Sequence, residues 1–376
     1  MDLNNQGWTE IMEGNLPPGQ QDSSSGKLLT GRAALDIDGL KIDLGTLGGK
    51  NSWTNYDGLN DRAQAVGLAE TAVPGPNGED ICGFGTGLTC RPFLWQKGHM
   101  RALPTLGGNN GQASPINNRG QIAGFAENGI VDSTCPPNTR NNRIVLPVLW
   151  EKGKAQALPT VGSDPDEEAW GINNQGQAVG YSGTCTLPNA VLWENGTATQ
   201  LHDLGVPGAV AVAINNQGQI AGQVVSADGT TVLAALWQNQ TITSLGRLPG
   251  DVTSFAEGIN NQGQLVGSNT DSSGNWSHAF IWQNNVMTDL NTLFPASSNL
   301  YATMANEINE RGQISGMAIV LNGPQAGDIH AFLATPVNAS LGTSVAEAAR
   351  THPKITLPAN VGKQLLQRFG PGRFER

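Results

Sequence analysis

Apolar residues in this chain come in short runs of four to seven, often alternating with polar ones, and Gly, Asn, Pro or Asp bounds each run. Runs this short cannot carry the 3.6-residue stripe of an amphipathic helix, and turn residues at both ends mark them as β-strands. Ala178-Val179-Gly180-Tyr181, Leu265-Val266-Gly267-Ser268 and Met287-Thr288-Asp289-Leu290 are examples. No apolar run approaches the ~20 residues of a transmembrane helix, so no membrane span is expected.

One string recurs seven times: Leu3-Asn4-Asn5-Gln6-Gly7, Leu59-Asn60-Asp61-Arg62, Ile116-Asn117-Asn118, Ile172-Asn173-Asn174, Ile214-Asn215-Asn216, Ile259-Asn260-Asn261 and Ile308-Asn309-Glu310. The copies are 42 to 57 residues apart. A second string ending in Trp follows, at Trp95, Trp150, Trp193, Trp237 and Trp282, with degenerate copies at Ala33-Ala34-Leu35-Asp36 and Ala331-Phe332-Leu333-Ala334. Each unit reads as four strands: one entering the Asn turn, one leaving it, one ending in Trp and one ending near Leu-Gly. A single such sheet cannot bury both faces, so the sheets must stack on one another, which predicts a β-propeller. The fold class expected is all-β, a seven-bladed β-propeller of four-stranded antiparallel blades over residues 1–338.

Asn-Asn-Gln-Gly between two strands has hairpin chemistry: a type I turn, then a residue of positive φ that Gly occupies without steric cost. The Gly therefore needs no catalytic role. The recurring Trp reads as packing between sheets rather than as a sugar-stacking platform. Residues just before the Ile or Leu of the turn are Gly58, Pro115, Gly171, Ala213, Gly258 and Glu307, five of them compact. That fits strands converging on a crowded axis, or equally a simple need to open the turn.

Only 14% of residues are charged and the net charge is -10, which disfavours a phosphate backbone, so nucleic acid is not an expected partner. Residues 339–376 depart from this, with Arg350, Lys354, Lys363, Arg368, Arg373 and Arg376 set against Glu347 and Glu375. They read as a basic tail, partly helical or disordered.

His278-Ala279-Phe280-Ile281-Trp282, His330-Ala331-Phe332-Leu333, Asp43-Leu44-Gly45-Thr46-Leu47-Gly48-Gly49 and the Asn turns resemble the bacterial extracellular repeat proteins of the HAF (His-Ala-Phe) family. The resemblance covers residues 3–335. It implies export from a bacterium, to the cell surface, periplasm or medium, and a propeller-like fold; it implies no reaction. His occupies the family position in two of the seven units, so His278 and His330 read as edge residues of third strands. Met1 falls on the end of a first strand, with no charged and apolar leader ahead of it. The ring is therefore expected to lack one strand and to close incompletely between the first and last units, or with Lys354 to Val361 as a substitute.

Cys82, Cys90, Cys135 and Cys185 all fall between the second and third strands of units 2 to 4, and their positions favour the pairs Cys82–Cys90 and Cys135–Cys185. Bridges of this kind suit an oxidising compartment; a zinc site is the rival reading, with irregular spacing against it. Candidate ligand-binding residues are Asp164, Asp166, Glu167, Glu168 and Trp170 in one loop and Asp251 in its counterpart, where carboxylates beside an aromatic could hold Ca²⁺ or a sugar. A solvated acidic loop is the plainer reading. No nucleophile elbow, phosphate loop or metal-spaced His pair is present, so neither a cofactor nor a catalytic residue is assigned. The functional expectation is a monomeric, secreted or cell-surface, non-catalytic propeller that binds a glycan or a protein through its loop face. The alternative is a propeller-type glycan hydrolase or lyase with carboxylates at the axial channel.

Overall fold

The computed structural model describes residues 2–13, 31–37, 39–76, 81–133, 143–162, 165–183 and 187–337. Beyond strands these residues form a single 3-10 turn, Leu290–Leu293. The strands build antiparallel sheets, each from consecutive segments: 2–43, 48–102, 111–157, 167–200, 209–246, 253–289 and 300–334, numbered sheets 1 to 7 below. Sheets 1 to 6 contain four strands in sequence order; sheet 7 contains three among the described residues.

In sheets 2 to 6 the third and fourth strands are joined by two-residue turns in which both residues have positive φ, as at Lys97-Gly98, Lys152-Gly153 and Asn195-Gly196. These are type I′ turns, whose twist matches that of the flanking strands. The turn after each first strand ends in Gly at φ between +71° and +86°, except that Ala63 takes the place in sheet 2 at φ +53°.

The sheets stack face to face. Trp95, Trp150, Trp193, Trp237 and Trp282 are all buried, and each shares an apolar cluster with the sheet before it. Trp150, for example, packs with Val66 and Leu94 of sheet 2. Three of these indoles also satisfy their N–H, donating to the carbonyls of Pro104, Pro159 and His202 at 2.7–2.8 Å. Clusters of this kind join sheets 1 and 2 and every following pair up to 6 and 7. Among the described residues no such cluster joins sheet 7 to sheet 1.

Polar ties supplement the apolar ones. A side chain at or near the start of one sheet's first strand accepts an N–H from the third strand, or the residue just before it, in the sheet before: Gly31 to Asn51 (3.1 Å), Cys90 to Asn110 (2.9 Å), Val145 to Asp166 (2.5 Å) and Ala234 to Ser254 (2.8 Å).

The Leu-Gly-Gly segments have a steric origin. Glu70 and Glu127, both fully buried, turn back to accept N–H groups from Lys50 and Asn51 and from Asn109 and Asn110. A Cβ on Gly49 would lie 2.4 Å from the Glu70 Cβ, and one on Gly108 would lie 2.2 Å from that of Glu127.

The first strand of sheet 1, Asp2–Leu3, pairs with Thr9–Glu13. The sheet short of a strand among the described residues is the last one. The basic tail, with Lys354 to Val361, lies outside the described residues.

Candidate axial binding site

The first Asn of each turn in sheets 2 to 7 uses its whole side chain, and Asn4 in sheet 1 all but one of its bonds. Its Oδ1 accepts the backbone N–H groups two and four residues ahead, at 2.9–3.1 Å. In sheets 2 to 7 its Nδ2 donates to the Gln Oε1 four residues ahead, at 2.5–2.9 Å. The second Nδ2 proton crosses to the next sheet. Asn4, Asn60, Asn117, Asn173, Asn215, Asn260 and Asn309 each donate to the carbonyl of the following member at 2.8–3.1 Å, and the last bond runs from Asn309 to Asn4. Aspartate has no donor for either bond, so only Asn does all four jobs.

The next position makes a second circuit. Each backbone N–H of Asn5, Asp61, Asn118, Asn174, Asn216, Asn261 and Glu310 donates to the side-chain oxygen of the following member at 2.7–3.2 Å, and Glu310 returns to Asn5. The Nδ2 groups of Asn174 and Asn216 have no partner among the described residues, whereas that of Asn118 donates to Asp61.

These turns surround a cavity of about 140 Å³, lined by both circuits, by the aliphatic residues beneath them and by Asp57 and Glu307. Its charge is one-sided. Asp57 and Asp61 come from sheet 2, Glu307 and Glu310 from sheet 7, and no Lys or Arg lines the space. Sheet 1 lies between those two sheets, with Asn5 bonded to Asp61 on one side and to Glu310 on the other. Asp57 and Glu307 both line the cavity and share a side-chain hydrogen bond. Burial lifts the Asp57 carboxyl above its ordinary range, with that bond pulling the other way. Burial also lifts the Glu310 carboxyl; bonds from the Asn261 backbone and Gln262 oppose this, and the Asp61 charge adds to it.

The sequence-selected residues lie elsewhere. Asp166 and Glu167 are buried and accept the N–H groups of Val145 and Val161, and the predicted loop is strand from Glu167 on, since Glu167, Glu168 and Trp170 lie in the first strand of sheet 4, Glu167–Ile172. Glu168 Oε2 accepts the Trp170 indole N–H at 3.0 Å, and that indole lies 6.0 Å from the Tyr181 ring. Asp251 belongs to a different cluster, separated from these by sheet 5. It accepts Ser277 Oγ at 2.7 Å and sits 2.8 Å from His278 Nδ1. Burial lowers the His278 pKa, but the Asp251 bond and charge, with the charge of Asp289, outweigh it and leave the imidazole raised. Asp164, Cys135 and Cys185 fall outside the described residues. Cys82 and Cys90 are bridged, beside Leu68 and Phe84.

Sequence reasoning took the paired Asn residues for local turn formers and so missed the axial site. Its signal was the second Asn: a turn needs one, and a repeated pair implies a partner outside the unit.

Four-stranded antiparallel sheets stacked around an axial cavity define the β-propeller class. No family model and no curated protein matches the chain. Among solved structures it is similar to the β-propeller domain of the trilobed protease from Pyrococcus furiosus, at 12% identity and a TM-score of 0.49, over 79% of this chain and 83% of that one. It is also similar to the acylaminoacyl peptidase of Pyrococcus horikoshii, at 12% identity and a TM-score of 0.46, over 77% of this chain and 47% of the peptidase. A putative gluconolactonase aligns at 11% identity and a TM-score of 0.33, over 68% of this chain and 79% of that one.

Proposed function

We propose that the chain is a seven-bladed propeller, its blades being sheets 1 to 7, and that it acts as a non-catalytic binding protein outside the cell. The ligand is a glycan or a protein segment, taken at the asparagine-lined axial mouth. One observation carries this: a single concave site combines the uncommitted amide donors of Asn174 and Asn216 with the carboxylates of Asp61 and Glu310. Sugar hydroxyls and peptide groups need donors and acceptors set together in this way. The loop-face carboxylates of Asp166 and Glu167 are bonded to backbone, which favours the axis as the contact surface; Glu168, Trp170 and Asp251 are the loop-face alternatives. The Cys82–Cys90 bridge and the resemblance to HAF repeats support export.

The glycan hydrolase or lyase reading draws on the four axial carboxylates. Against it, Asp57 and Glu307 are hydrogen-bonded to each other, whereas glycosidic carboxyl pairs flank a sugar bond at ~5 to 10 Å. A glycan array combined with turnover assays on the same polysaccharides tests both readings. Saturable binding lost in Asn174→Ala and Asn216→Ala, without product formation, supports the binding reading; turnover decides for the enzyme.

A further inference from the structure

We propose that the turn face of sheets 2 and 3 is a docking surface for a linear acidic polysaccharide. Its carboxylate or sulfate groups are held by Arg62, Lys97 and Arg101 of sheet 2 and by Arg119, Lys152 and Lys154 of sheet 3. None of these residues lines the axial cavity, and the inference is independent of what the axial mouth takes.

The cations gather here although the chain as a whole carries a net charge of -10. All six are exposed, and none makes an ion pair among the described residues. Two acids share the face: Asp61 accepts the amides of Asn5 and Asn118, and Glu151 stands across its turn from Lys154. Two contacts join the cations of the two sheets into one surface. The Arg62 guanidinium lies 2.7 Å from where a Cβ on Gly120 would stand, next to Arg119 in the chain. That of Arg101 lies 3.3 Å from the same point on Gly153, between Lys152 and Lys154. Arg119 gives one N–H to the Asn174 carbonyl at 3.0 Å and keeps the rest of its fork for a ligand.

The fold does not require these charges. In sheets 4, 5 and 6 the place of Arg62 and Arg119 is taken by Gln175, Gln217 and Gln262, which donate to the carbonyl of the next turn as Arg119 does. The place of Lys97 and Lys152 is taken by Asn195, Asn239 and Asn284 at φ 51°, against 52° for the two lysines. Asn tolerates that conformation better than Lys, so the turns of sheets 2 and 3 give up local preference and gain charge.

The shape of the surface selects the partner. Strands ~4.8 Å apart and sheets ~10 Å apart set neighbouring cations about 10 Å from one another, in two rows running from the axial rim to the outer strand. Such a strip suits a single chain with anionic groups at intervals, and Arg forks bind the paired oxygens of those groups bidentately. A flat anionic bilayer would meet the turns of every sheet, including the uncharged ones of sheets 5 and 6 and Glu194 of sheet 4. A nucleic-acid duplex carries one charge per ~1.7 Å and meets far more repulsion from the acidic body than a sparsely charged polysaccharide does.

Binding of the full chain to polygalacturonate and to dextran sulfate, with unsulfated dextran as the neutral control, tests the proposal. One variant combines Arg62→Gln, Lys97→Asn, Arg119→Gln and Lys152→Asn, the residues that sheets 4 to 6 carry in those places, and should unfold at the parent's midpoint. Saturable binding to at least one polyanion at low ionic strength is expected, ~10-fold weaker or more in this variant, unchanged in Arg247→Gln and falling as salt rises. Arg101→Thr with Lys154→Thr, matching Thr199 and Thr197 of sheet 4, repeats the test on the outer strands, with ~3-fold weakening expected. No binding to either polyanion, or binding as strong in both variants as in the parent, would overturn the proposal. Tighter binding to a DNA duplex or to phosphatidylglycerol vesicles than to either polysaccharide, lost in the same variants, would assign the face to that partner and overturn it equally.

Discussion

Asn309 Nδ2 donates to the backbone carbonyl of Asn4 at 3.0 Å across 305 residues of sequence, and Glu310 N–H donates to Asn5 Oδ1 at 2.8 Å beside it. These two bonds link sheets 7 and 1 where the described residues hold no apolar cluster. Asn309→Ala should therefore cost about 1–3 kcal/mol, the cost of orphaning a buried bonding set, and should speed exchange at Leu3. Asn117→Ala should cost a similar amount, but the cluster around Trp150 should keep local exchange slow there. Chemical denaturation combined with site-resolved exchange checks both; equal local loosening in the two variants would refute the special role of the seam.

Replacing Asn215 separates geometry from charge. Its Nδ2 donates to Gln219 Oε1 at 2.7 Å and to the Asn260 carbonyl at 2.9 Å, and the residue is buried. Asn215→Asp removes both donors and sets a carboxylate against two acceptors, so a loss of about 3 kcal/mol or more is expected at neutral pH. Protonation restores one donor, and part of the loss should return in acid. Urea midpoints measured at pH 4 and pH 7 decide this.

The axial acids give stability a definite pH dependence. Asp57 and Glu310 have folded pKa values above their unfolded ones, so the native state binds more protons than the unfolded state between the two values. Their contribution is full below the ordinary carboxylate pKa and is lost as pH rises through the folded values. His278 acts in the same direction at higher pH: its raised imidazole contributes below 6.5 and loses that contribution above its folded pKa. Asp57→Asn should flatten the acidic part of the profile, and His278→Gln the near-neutral part. Melting curves across pH 3–9 test each; a profile left unchanged by both variants would contradict the assignment.

Two glycine substitutions should differ in kind. Gly108→Ala places a Cβ 2.2 Å from that of Glu127, a buried residue that cannot withdraw, so a loss above about 2 kcal/mol is expected. Gly263→Ala meets only the end of the Gln219 side chain, and its cost is the positive φ of +74°, about 1 kcal/mol. Thermal unfolding of the two variants side by side measures the difference.

Reduction of Cys82–Cys90 opens a short loop of sequence separation 8, for which chain entropy gives about 2–3 kcal/mol. Cys82→Ser with Cys90→Ser should lower stability by that amount and loosen Phe84 and Leu68, while the exchange of sheets 5 and 6 stays at the parent rate.

The sequence by itself determined the all-β class, the position of each turn and the burial of the five tryptophans, because these depend on local chemistry repeated at each unit. Gly at a positive φ, Asn before it and a short apolar run each act within a few residues. What the side chains of Asn4 to Asn309 reach was decided only by tertiary structure, since each of their bonds to the next sheet joins residues 42 or more apart along the chain and depends on how the sheets are set around the axis. The same applies to the acids. Asp166 and Glu167 read as one exposed loop but fold inward to tie backbone, whereas Asp57 and Glu307, 250 residues apart, meet at the cavity because the sheets that carry them are set around one axis.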